Sequence, residues 1–181
     1  MVTIQMEVFV LEEDKKLEQN KQEQPMSLLS RSLITGFVGG LLAGFFGIVI
    51  YYFNFSEVSP KSYLIRSWVT ADWTDGWLGN LLSIVMVSVL SLLTAFIYYG
   101  LFKKINSLWM GVAYGIILWG IVFYIVQPIF PNIPNLMELN RYTIVSTLCL
   151  FILYGTFIGY SISYDYADTI RKEDEIKAKQ N

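Results

Sequence analysis

Of the 181 residues, 54% are hydrophobic and 16% aromatic, and the 15% that are charged fall well below the roughly 25% usual in a soluble domain. Lys and Arg number 13 against 15 Asp and Glu, a net charge of −2 that argues against nucleic acid as a partner. With no histidine and one cysteine, Cys149, a single chain offers no disulfide framework, no thiolate or imidazole metal site and no histidine base for a Ser or Cys nucleophile, so no cofactor is expected.

Residues 1–26 are mostly polar and are expected to form a disordered cytoplasmic tail. No basic segment precedes the apolar patch near the start and no small-residue cleavage site follows it, so this is not a signal peptide; Met6 and Met26 are alternative initiators. Pro25, Ser27 and Ser30 supply start signals for a first helix. Leu33 to Phe55 then runs for 23 residues without a charge, enough to cross a hydrocarbon core of about 30 Å. Further uncharged runs cover 77–102, 108–130 and 142–164, the third stopped by Pro128, Pro131 and Pro134 and the fourth preceded by Asn140 as a cap. The expected fold is an all-α, integral membrane four-helix bundle over residues 27–168, followed by a charged helical extension over 169–181. Asp168 with Lys172 and Glu173 with Lys177 stand at helical i, i+4 spacing in and before that extension.

Ten Lys and Arg lie in the two terminal segments and the middle connection, against three (Lys61, Arg66 and Arg141) in the other two loops. The positive-inside rule therefore places both termini in the cytoplasm of a plasma-membrane protein. The odd spans share the pattern Gly-Ile-Val-x-Tyr, at Gly47 and Gly120, and the even spans share Phe-Ile-x-Tyr-Gly-x-Phe, at Phe96 and Phe151, as two copies of one hairpin would.

The spans contain no Asp, Glu, Lys or Arg, which argues against a proton relay, and their hydroxyls are expected to bond their own backbone or a neighbouring helix. Cys149 is expected to be a small buried hydrophobe. Gly36, Gly40 and Gly44 form one row of small residues, Gly39, Ala43 and Gly47 a second; Gly111, Gly115, Gly155 and Gly159 repeat the spacing in the third and fourth spans. Such rows let helix backbones approach closely, within the bundle or in a dimer.

The first outer loop mixes Glu57, Lys61, Arg66, Asp72 and Asp75 with Tyr63, Trp68, Trp73 and Trp77, which suits a segment lying among lipid headgroups. In one reading it is an aromatic anchor with Asp75 or Thr74 capping the second helix. In the other, Arg66, Asp72, Asp75 and Arg141 face one another across the outer mouth and hold a ligand or partner.

Three segments, Tyr51 to Pro60, Ala71 to Gly79 and Tyr154 to Tyr166, resemble the YqhR family of small integral membrane proteins of spore-forming Gram-positive bacteria. The resemblance covers about Pro25 to Asp168 and leaves the tail outside; it implies a multi-pass plasma-membrane protein and brings no activity or catalytic residue with it. The expected role is that of a non-enzymatic scaffold or accessory subunit in envelope or lipid processes, with membrane lipids and a second copy or another membrane protein as partners. The alternative is a small-molecule or lipid transporter, working as a dimer, and a third reading is an enzyme acting through Asp72 or Asp75.

Overall fold

The computed structural model describes residues 26–67, 69, 72–130 and 133–180, and among these every regular element is helical. The tail, up to residue 25, and Trp68 lie outside the described residues, as do the side chains of Asp72 and Trp73. Four helical stretches are long and apolar enough to cross a membrane: Leu28–Tyr52, Trp77–Phe102, Leu108–Ile129 and Arg141–Ala178. Four crossings bring the two ends of the bundle to the same side, called here the terminal end; the opposite side is the loop end.

Helix α1 (Leu28–Tyr52) starts before its uncharged run because Ser27 caps it, accepting a hydrogen bond from the Ser30 amide at 3.2 Å. It stops before Phe55 because Asn54 turns the chain with φ 58°, a left-handed conformation that asparagine tolerates. A five-residue helix α2 (Pro60–Leu64) follows, with its proline in the first turn where the missing N–H costs nothing. A 3₁₀ turn, Asp72–Asp75, leads into α3 (Trp77–Phe102). The cap of α3 is Gly76, which has no side chain to offer; the Thr74 carbonyl closes over Gly79, where a Cβ would collide with it.

Helix α4 (Leu108–Gly120) does not run straight to its prolines. It passes through a π-helical turn over Ile121–Val126, in which the Gln127 amide bonds to the Val122 carbonyl, and then a 3₁₀ turn over Gln127–Ile129. Pro128 carries no N–H and its ring crowds the preceding turn, so the ladder widens before it ends. Helix α5 (Arg141–Gln180) is 40 residues long, and Asn140 caps it by accepting the Tyr142 amide at 3.3 Å. Beyond the apolar run it carries the Asp168–Lys172 pair at 2.7 Å and an Asp168–Arg171 pair, whereas Glu173 and Lys177 stay apart, solvated.

The most extensive helix contacts are α1 with α3 and α4 with α5, followed by α1 with α5. The small residues lie at these seams. A Cβ on Gly36 would stand 2.5 Å from the Ala95 Cβ, and one on Gly40 2.6 Å from the Ser88 Cα, both on α3. Gly44 also meets α3, at Ile84, whereas Gly39 meets Ile158 of α5 and Gly47 meets Pro60. The two rows on α1 thus serve different neighbours. Between α4 and α5 the approach is backbone to backbone: a Cβ on Gly155 would lie 2.5 Å from the Gly115 Cα and 2.6 Å from the Gly111 carbonyl oxygen. Gly159 meets the Gly111 Cα from the next turn.

Hydroxyls supplement these seams. Ser91 Oγ donates to the Gly36 carbonyl at 2.5 Å, and Tyr114 donates to the Thr94 carbonyl at 2.7 Å. Tyr154 touches both Ser91 Oγ and Thr94 Oγ1 at 2.5 Å. Since Ser91 gives its proton to Gly36 and Thr94 gives its own to the Ser91 carbonyl, the Tyr154 proton completes the set by going to one of the two hydroxyl oxygens.

Two apolar clusters fill the bundle. One joins Ala95, Tyr98, Tyr114, Ile158 and Ile162; the other, towards the loop end, joins Val58, Phe123, Ile133 and Leu139, with Tyr63, Trp119 and Phe151 against it. Most large apolar side chains instead point outward, including Phe45, Leu93, Ile117 and Leu153. In a bilayer the outward face meets lipid tails, so burial inside the bundle brings no hydrophobic gain and close packing takes over. This also corrects the expectation for Cys149, which is exposed on the lipid-facing side of α5.

Candidate functional site

The chemically varied side chains collect at the loop end. There the descending end of α1, the turn after it and the start of α5 enclose an open cleft of about 550 Å³. Tyr51, Tyr52 and Tyr142 contribute aromatic rings, Asn54, Ser56, Asn140 and Thr143 contribute neutral polar groups, and Glu57 is the one ionisable acid or base of the lining. Backbone geometry sets the cleft. Ser56 Oγ donates to the Val58 carbonyl at 2.8 Å and accepts the Val58 amide at 3.2 Å, folding the turn on itself. The Glu57 amide donates to Thr143 Oγ1 at 2.9 Å, and the Glu57 Oε2 accepts the Asn140 amide at 3.2 Å. The turn is thereby fastened to the first residues of α5, and one carboxylate oxygen is left for another partner.

Of the four residues expected to share an outer mouth, two are brought together. Arg66 and Asp75 meet in an ion pair at 2.5 Å, each about half exposed (47% and 55%), and Lys61 Nζ reaches the Asp75 carbonyl at 3.3 Å. Asp75 therefore ties α2 to the approach of α3 and does not cap α3. Arg141 opens α5, exposed and with no ion-pair partner among the described residues. Asp72 begins the 3₁₀ turn, and its side chain lies outside what the structure describes.

Beneath the short helix α2, Tyr63 inserts edge-on between Phe123 and Phe130. Burial pushes its hydroxyl well above the usual phenol range, and that hydroxyl has no hydrogen-bond partner among the described residues. Gln127, 1% exposed, bonds through its amide nitrogen to the Pro134 carbonyl, and its oxygen has no partner among the described residues. At the terminal end, Arg31 of α1 pairs with Asp165 of α5 at 2.6 Å, and Lys103 lies 4.2 Å from the centre of the Tyr99 ring.

Among the described residues, nothing at either end sets a nucleophile beside a base and no three acids or cysteines cluster as metal ligands would. The loop-end cleft sets one carboxylate among aromatic rings and amides.

The pattern of the conserved membrane protein YqhR matches residues 12–177. The chain belongs to the YqhR family. The match reaches into the charged tail, where the resemblance was expected to begin only at about Pro25, so the family character includes part of that polar segment. A YqhR protein of Bacillus subtilis (strain 168), described as uncharacterized, is 40% identical over 158 residues, which cover 84% of this chain and 88% of that protein. No solved structure matches the chain. YqhR membership and the four apolar helices together make this a membrane protein.

The cleft was legible only in fragments. Tyr51, Tyr52 and Tyr142 read as an interfacial belt and Asn140 as a cap, but the pairing of Glu57 with Asn140 and Thr143 joins positions more than 80 residues apart. No local pattern announces such a contact.

Proposed function

We propose that the protein is a non-enzymatic, multi-pass component of the plasma membrane, both termini cytoplasmic, that acts by association as a scaffold or accessory subunit in envelope or lipid processes. The observation that carries this reading is the division of chemistry along the bundle. Its interior is joined by glycine contacts and hydroxyls and its uncharged runs hold no Asp, Glu, Lys or Arg, whereas charged side chains stand at the two ends. A long helix projecting with charged faces beyond the apolar run adds a second surface for contact. Crosslinking in native membranes should recover a homo-oligomer or a complex with another membrane protein; recovery of lipid alone would overturn the reading. Sidedness is tested with a membrane-impermeant thiol reagent on intact cells in a Cys149→Ser background: Ser62→Cys should label and Ser107→Cys should not.

Transport of a small molecule or lipid is the second reading, favoured by the break in α4, where the α-helix gives way to a π turn over Ile121–Val126. Reconstituted vesicles showing no protein-dependent movement of labelled lipid would set it aside.

A further inference from the structure

The charges at the loop end are paired selectively. Arg66 and Lys61 are engaged by Asp75, while Glu57 and Arg141 have no ion-pair partner among the described residues. Glu57 lines the cleft; Arg141 stands in the chain between two lining residues, Asn140 and Tyr142. A lone carboxylate beside three phenol rings is a cation-binding arrangement, because ring faces and carboxylate both attract an ammonium group. The cleft volume of about 550 Å³ lies within the usual range for small-ligand sites. Its position at the ends of two spanning helices sets it at headgroup depth, with Tyr52 82% exposed as an outer wall.

We propose that this cleft binds a zwitterionic phosphoamine, with Glu57 receiving the ammonium among Tyr51, Tyr52 and Tyr142, and Arg141 receiving the phosphate. The group can be the headgroup of a phospholipid or the free solute, since both carry an ammonium and a phosphate on the same two-carbon linker, the free monoester with the greater negative charge. An anionic headgroup without an amine fits Arg141 but meets Glu57 as a like charge, so the cleft discriminates against it. This adds a ligand to the association reading, and the two are separable. A crosslinked complex with no headgroup preference would sink the ligand alone, and headgroup binding without any complex would sink the association alone.

The test uses the full chain in uncharged detergent micelles, titrated with dihexanoyl phosphatidylethanolamine, dihexanoyl phosphatidylglycerol and free phosphoethanolamine. The ethanolamine lipid should bind at least tenfold tighter than the glycerol lipid, and Glu57→Gln should remove that preference. Arg141→Gln should weaken the ethanolamine lipid while leaving tetramethylammonium unaffected. Because Glu57 also holds the turn to α5, Tyr52→Phe and Tyr52→Leu give an independent reading: phenylalanine should retain the affinity and leucine should lose it several-fold. Competition by free phosphoethanolamine would identify a soluble ligand, and binding of the lipid alone would identify a membrane one. Equal affinity for the two lipids, or a Tyr52→Leu protein that binds like the unsubstituted chain, overturns the proposal.

Discussion

Gly155→Ala is the sharpest test of how the bundle is held together. The added methyl would enter a seam where the Gly115 Cα and the Gly111 carbonyl oxygen already stand 2.5 Å and 2.6 Å away, and both are backbone atoms that no rotamer change can move. Restoring carbon contacts to about 3.5 Å requires α4 and α5 to separate by about 1 Å. A gap of that size forfeits roughly a quarter to a half of each contact of about 0.15 kcal/mol; taking about 40 such contacts, as many as one buried leucine makes, the loss is about 2 kcal/mol. That matches the usual range of about 1–3 kcal/mol for an overfilled interior. Alanine also favours the helix over glycine, by up to about 1 kcal/mol in water. Gly100→Ala supplies the control, since a Cβ there meets nothing within 4 Å and carries the helix preference without the collision. Reversible unfolding in mixed detergent micelles, followed by tryptophan fluorescence, should therefore find Gly155→Ala less stable than Gly100→Ala by about 2 kcal/mol. Equal stabilities, within about 0.5 kcal/mol, would refute the backbone-contact argument.

Gly40→Leu should be at least as damaging, because its side chain must displace Ser88 and Ser91 of α3; an unchanged thermal midpoint and an unchanged oligomeric state in detergent would contradict this. Tyr154→Phe removes one hydroxyl shared by Ser91 and Thr94 and should cost about 0.6 kcal/mol and at most about 1.7, the average and the maximum for side-chain hydrogen bonds in a membrane bundle, read in the same unfolding assay. Hydrogen bonding from Lys172, aided by Arg171, holds the Asp168 carboxyl below the ordinary carboxylate range. A depressed carboxyl stabilises the folded state above its unfolded value of about 3.9 and loses that contribution as pH falls through the lower folded value. Amide exchange over residues 165–178, corrected for intrinsic rate, should therefore hold its protection down to about pH 4 and lose it only below that; a loss centred near pH 6 would contradict the assignment.

The spans were legible because a run of uncharged residues long enough to cross a bilayer has few other stable fates. Trp77–Phe102 coincides with its expected bounds, since Gly76 and Lys103 flank it. The boundaries that moved did so for local reasons. Ser27 captured α1 before its uncharged run began, and Asn54 turned the chain before that run ended. Pro128 marked the end of α4 correctly as a break, and the widening of the ladder before it follows from the same missing N–H and crowding ring; the packing of Phe123 against Tyr63 of α2 is what no local pattern encodes. In the outer-mouth group, opposite charge brings Arg66 to Asp75, and nothing in the spacing says which of the charges pair. Cys149 was misjudged because an apolar helix position in a membrane faces lipid as readily as it faces the bundle.

The absence of Asp, Glu, Lys and Arg from the uncharged runs has an electrical consequence. Carrying one elementary charge through a potential of 100 mV involves about 2.3 kcal/mol, the source of steep voltage dependence where a helix carries arginines through the field. The uncharged runs of this bundle have no such charge to move, so a rearrangement confined to them carries no side-chain charge across the field. Voltage dependence, where it arises, comes from charged groups outside those runs, such as Arg31 and Asp165, which pair at 2.6 Å.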